Sequence, residues 1–166
     1  MRLKNKLKLG AATVGMELLK KANDIRVKPR TIVTEPDRRL STPCKEVTDF
    51  SESGQAKLRT IANVMVRTLF TQKEGSRLGI AANQCGYDLR VGIILGNVYV
   101  NPRVVPSKAP EREVIEGCYS VPGRRFRVTR PPSGWLHYQT VEGEHKSVKM
   151  NDMKAHVVQH ELDHLD

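Results

Sequence analysis

Near its carboxyl end the chain reads His160-Glu161-Leu162-Asp163-His164, a spacing that asks for an α-helix. On a helix, residues four apart share a face and lie roughly 6 Å apart along the axis, so two imidazoles converge on one ion while the intervening Glu stands beside it. Asn151 or Asp152 can cap such a helix, and Met153, Val157, His160 and His164 fall on one stripe of it as far as Leu165. The bland alternative is a chance pattern on a solvated helix. A catalytic metal needs a third protein ligand, and as only Leu165 and Asp166 follow, that ligand is expected upstream. Asp166 also puts negative charge at the negative end of the helix dipole, so the last turn is expected to fray unless metal and packing fix it.

Few residues can supply the third ligand. His156 precedes His160 by four, but it stands roughly 12 Å along the axis from His164, too far to share an ion. His137 and His145 lie in a strand-rich region with no spacing that recommends them. Cys118 is the better candidate: it follows Gly117, which permits close backbone approach, and a thiolate suits zinc or ferrous iron. Its alternative is a small buried hydrophobe, the role expected of Cys44 and Cys85. Three cysteines without a C-x-x-C pair argue against a disulfide framework and for a reducing, cytoplasmic compartment.

Hydrophobic periodicity predicts a helix from about Gln55 to Phe70, with Ser51 or Ser53 as cap and Gly75 beyond its end. The period then changes. Strands are expected at 90–95 and 98–100 around a Gly96-Asn97 hairpin, then near 113–117, 124–128, 134–140 and 145–150, the last two joined at Glu142-Gly143. Thr31 to Cys44 reads as extended, interrupted by Pro36 and Pro43. The expected class is α+β, with antiparallel strands packed around the C-terminal metal-binding helix. No apolar run approaches the roughly 20 residues of a membrane span.

The formal charge of +10 is unevenly placed: residues 1–30 hold nine of the 28 basic and two of the 18 acidic side chains, leaving 19 against 16 in the rest. Polyanion binding therefore belongs to a basic N-terminal arm, residues 1–30, ahead of a domain at 31–166. Leu3, Leu7, Val14, Leu18, Leu19 and Ile25 give the arm a loosely helical spacing that also suits an organelle transit peptide, though a solvated arm is preferred.

Three separated segments resemble the motifs of peptide deformylases. Gly79-Ile-Ala-Ala-Asn-Gln84 resembles the end of Gly-x-Gly-x-Ala-Ala-x-Gln, Glu116-Gly-Cys-Tyr-Ser120 resembles Glu-Gly-Cys-x-Ser, and Gln159-His-Glu-Leu-Asp-His164 resembles Gln-His-Glu-x-Asp-His. They stand in the family's order, and the similarity runs from about Ile32 onward, Asn101-Pro102 included. The resemblance implies that Cys118, His160 and His164 bind one divalent metal, iron(II) by family preference with zinc, nickel or cobalt possible. It implies Glu161 as proton carrier, the Gln84 amide and Tyr119 backbone N–H as oxyanion donors, and Gly79 as a backbone contact to substrate. The implied substrate is the N-formyl-methionyl end of a new polypeptide. Leu78, Gly117, Met153 and Val157 are candidates to line its site. A monomer is expected, with ribosome contact through the arm. Two positions depart from the pattern: Tyr119 stands where the family often has Leu, and Arg77 where it has Gly, so the loop at 77 is expected to avoid glycine-only angles. A zinc peptidase using the same helix, and a non-catalytic nucleic-acid module built on the arm, are the rival readings.

Overall fold

The periodicity that predicts the first helix is realised in α1, Glu52–Thr71, which buries Leu58, Ile61, Met65 and Leu69. Ser51 caps it, its Oγ accepting from the Gly54 N–H at 3.2 Å. The structure, a computed structural model, describes residues 26–166. The apolar spacing noted at Leu3 to Ile25 lies outside the described residues.

Seven strands follow: β1 Gly79–Ala81, β2 Val91–Ile94, β3 Asn97–Pro106, β4 Arg112–Cys118, β5 Val121–Arg130, β6 Ser133–Gln139 and β7 His145–Asn151, then helix α2, Asp152–Leu165. Short 3-10 turns occupy Arg38–Leu40 and Ala82–Cys85. Five strands form an antiparallel sheet in the order β1-β2-β3-β6-β7, and β4 pairs with β5 alone. Side chains alternate across the large sheet. Ile80, Ile93 and Val100 meet α1, while Ile94, Tyr99, Leu136 and Met150 meet Ala155, Val158 and Leu162 of α2. Each face thus carries one helix, the α+β arrangement expected.

The β2–β3 hairpin turns on Leu95-Gly96, one residue earlier than expected, because Ile94 pairs with Asn97. Both turn residues take positive φ, 47° and 84°, as a two-residue hairpin turn requires. Asn97 belongs to the strand and its amide donates to the Leu95 carbonyl at 3.2 Å. Asn101-Pro102 marks a register shift in β3. Asn101 spans it: its side chain exchanges hydrogen bonds of 2.8 Å with both main-chain groups of Val47 and donates to Gln139 Oε1 at 2.8 Å.

Arg30 is docked against the body. Its N–H donates to buried Thr68, its guanidinium to the Cys85 carbonyl at 3.0 Å, and its cation lies 4.1 Å from the Tyr87 ring centre. No described helix is long and apolar enough to cross a membrane.

Candidate active site

Helix α2 presents two adjacent stripes. Ala155, Val158, Leu162 and Leu165 are buried and pin the helix to the sheet. One position away, Met153, Val157, His160 and His164 are half-buried. Gln159 fixes the helix's rotation by donating to the Pro131 carbonyl at 2.9 Å.

The final turn is held rather than frayed. The His164 carbonyl accepts from Asn83 Nδ2 at 2.5 Å, and the Leu165 carbonyl from the Cys44 N–H at 3.0 Å. Buried Arg90 also reaches the Leu165 carbonyl, at 3.2 Å, and pairs with Asp166 at 2.7 Å. Orphan carbonyls at a helix end need such partners, and the guanidinium offsets the charge of Asp166. Packing, one of the two means expected to fix this turn, holds it through Arg90, which no local pattern places here.

Cys118 arrives from the far end of β4, where a register shift after Gly117 turns the chain into β5. Its Sγ lies 3.2 Å from His164 Nε2, and ligand atoms of Cys118, His160 and His164 all fall within 4.8 Å of one another. The two rings stand edge to face, 5.2 Å between centres. His156, His137 and His145 are not in this cluster. Burial raises the Cys118 thiol, but hydrogen bonds with His160 and His164 outweigh it and bring the pKa down to about 6. Burial would lower His160, yet its bonds with Cys118 and Glu116 raise it to about 10. Soft sulfur and two imidazoles converging on one point are a donor set that fits zinc or ferrous iron, and metal binding there would release the imidazole proton.

Glu116 and Arg130 complete the setting, although neither was among the candidate site residues read from the motifs. His160 Nδ1 lies 2.9 Å from Glu116 Oε2, and Arg130 donates to both Glu116 oxygens at 2.5 and 2.7 Å and to Asp163 at 2.8 Å. Burial would raise the Glu116 carboxyl, but Arg130 and His160 hold it at about 2. A carboxylate behind the imidazole fixes its tautomer and aims Nε2 forward. Glu116 stands 44 positions ahead of His160 in the segment that resembles Glu-Gly-Cys-x-Ser, but only position in space pairs it with His160 and Arg130.

Glu161 is 4% exposed, and one of its oxygens, Oε2, is buried with no hydrogen-bond partner among the described residues. Burial raises its carboxyl to about 7 against the pull of His160 and His164. Gly79 makes this packing possible: a Cβ there would sit 2.4 Å from Glu161 Oε1. Gln84, also buried, uses both ends of its amide. Its Oε1 accepts from the Ala81 N–H at 2.9 Å, the loop-capping role, while Nε2 donates to Ser120 Oγ at 3.1 Å and points at Cys118 Sγ, 3.8 Å away.

A cavity of about 240 Å³ opens beside His160 and His164, walled by Leu40, Val121, Phe126 and Val128 among others. Leu78, Gly117, Met153 and Val157 are not among its walls. Leu78 ties its carbonyl to the Leu95 N–H at 2.7 Å, Gly117 is exposed opposite Arg125, and Val157 packs against the cluster under α2. Cys44 and Cys85 are buried free thiols, raised by burial to about 11 and about 12, which fits the inert role expected of them. Arg77 reverses an expectation: its φ is 52°, in the region glycine favours. Its guanidinium turns back to the Gln72 carbonyl at 2.7 Å.

A family model described as polypeptide deformylase matches residues 29–166. The peptide deformylase of Rickettsia prowazekii (strain Madrid E) is 33% identical over 150 residues, covering 82% of each chain. Among solved structures, a Met-Ala-Ser-bound class I type b peptide deformylase from Acinetobacter baumannii superposes with a TM-score of 0.75 at 25% identity, covering 84% of this chain and 95% of that one. An actinonin complex of the peptide deformylase from Ehrlichia chaffeensis gives 0.73 at 28% identity, with 84% of each covered.

Proposed function

Starting from the chain's membership of the polypeptide deformylase family, we infer that it hydrolyses the terminal formamide of N-formyl-methionyl polypeptides at the Cys118, His160 and His164 cluster. The family makes it a metal-dependent hydrolase that removes formyl groups. The observation that carries the residue assignment is the convergence of those three ligand atoms beside a buried Glu161 with a free oxygen.

When bound, a divalent ion supplies Lewis-acid activation of water and polarises the formyl oxygen. Glu161 accepts the proton released as water adds to the formyl carbon, which its raised pKa near 7 suits it to do. It then hands that proton to the amine nitrogen as the C–N bond breaks, leaving formate and a free α-amine. Gln84 Nε2 is assigned as a donor to the oxygen that gains charge; the Ala81 N–H on its Oε1 sets the orientation of the amide, with Nε2 on the Cys118 side. The Tyr119 main-chain N–H is the second donor. β1 is the edge of its sheet, and Gly79 there offers main-chain groups to an extended peptide. The methionine side chain is assigned to Leu78, Met153 and Val157, each apolar and half-buried, together with Gly117.

The finer reading is an iron(II) enzyme, monomeric and cytoplasmic, with catalysis in residues 31–166. The excess positive charge of residues 1–30 is assigned to ribosomal RNA phosphates, a contact that would weaken steeply with salt and vanish on deletion of the arm while formate release persists.

The test is formate release by anaerobically purified protein from formyl-Met-Ala-Ser, beside free and acetylated Met-Ala-Ser and a longer blocked peptide. Formate from the first alone is expected; internal cleavage of the blocked peptide would favour a peptidase, and no formate from metal-loaded protein overturns the reading. Glu161→Gln should keep its metal by elemental analysis and lose at least about a hundredfold in kcat.

A further inference from the structure

We propose that the Tyr119 side chain is a positioning residue that clamps the loop at 72–78, setting the approach of Leu78 and Gly79 to the peptide. The proposal deepens the deformylase reading and rests on β1 as the peptide's edge. Tyr119 Oη accepts from the Arg77 N–H at 2.9 Å. Its ring covers Gly75, φ 97°, where an added Cβ would lie 2.7 Å from both Cε1 and Oη. The phenol therefore touches the loop at two residues just ahead of β1.

Arg77 explains why a hydroxyl is needed. A non-glycine residue at φ 52° is strained and persists only where its surroundings hold it. Here the surroundings act from both sides. The Arg77 guanidinium grips the Gln72 carbonyl through Nη2 at 2.7 Å and Nε at 3.3 Å and lies 5.8 Å from the Phe70 ring centre, while Tyr119 takes the main-chain N–H. A leucine or phenylalanine at 119 could pack on Gly75 but could not accept from Arg77. The two departures from the family motifs, at 77 and 119, are thus one device. Because the same residue's main chain is assigned to the oxyanion, loop position and oxyanion donor are coupled through Tyr119.

The experiment compares wild type, Tyr119→Phe, Arg77→Gly and the double variant by hydrogen exchange across residues 73–78 and by steady-state kinetics on formyl-Met-Ala-Ser. Tyr119→Phe should speed exchange in this loop and raise KM roughly three- to tenfold, the equivalent of one neutral hydrogen bond, with a smaller change in kcat. Glycine takes φ 52° without the side-chain penalty, so Tyr119→Phe should raise KM less in the Arg77→Gly background, a less-than-additive pair. Unchanged exchange in Tyr119→Phe, strict additivity, or a loss confined to kcat would each overturn the clamp. Absence of formate from wild type would instead defeat the deformylase reading, and loop exchange would still decide the clamp.

Discussion

Gly79 and Glu161 show how little room the proton carrier has. A methyl at position 79 would lie 2.4 Å from Glu161 Oε1, 2.8 Å from its Cδ and 2.9 Å from its Cγ, so the whole carboxylate arm must shift. Glu161 is fully enclosed and has no slack to absorb the change. Gly79→Ala should therefore lower kcat by about tenfold or more while metal content and fold persist, as read from formate release, elemental analysis and circular dichroism. The identity of Glu161 as a candidate was legible from its place in HExxH, as was that of both histidines. What Gly79 does to it was not, because the contact joins a strand to a helix 82 positions later.

At the level of elements, α2 reaches the site as a rigid carrier whose end is anchored from three directions. Arg90, just ahead of β2, donates to the Pro102 carbonyl in the β3 bulge at 3.0 and 3.2 Å and to the Leu165 carbonyl. One buried guanidinium thus ties the bulge to the helix turn that carries His164. Arg90→Met should cost about 1–3 kcal/mol, since it leaves the Pro102 carbonyl buried without this donor. In the metal-free variant, hydrogen exchange over residues 160–166 should rise above that of metal-free wild type, and metal affinity should fall. Wild-type protection in this turn should survive metal removal in large part. The helix itself was readable from its stripe and starts where expected, though Asn151 makes no side-chain capping bond; its anchorage was not readable, because Arg90 sits in what reads locally as an ordinary strand start.

Across the whole molecule, the two-stranded β4–β5 unit and α2 are joined by the Glu116–Arg130–Asp163–His160 network. Glu116 has a folded pKa of about 2 against an ordinary 4.5, so its stabilising charge is fully present above about 4.5 and is lost as pH falls toward 2. Denaturant unfolding of metal-free protein should show wild type losing its advantage over Glu116→Gln through that window; a constant gap between the two would contradict it. The sequence by itself determined the helix α1, the turn between β2 and β3 to within a residue, the α+β class and the three motifs, since caps, turn residues and side-chain period are local properties of the chain; it did not show strand β1, the run of β3 to Pro106 or the start of β5 at Val121. The tertiary structure alone decided that Arg130 backs Glu116, that Arg90 holds the last turn, and that Arg77 and Tyr119 meet. Those are contacts between side chains remote in sequence, and their existence depends on how the sheet and its two helices pack, a quantity that no local pattern encodes.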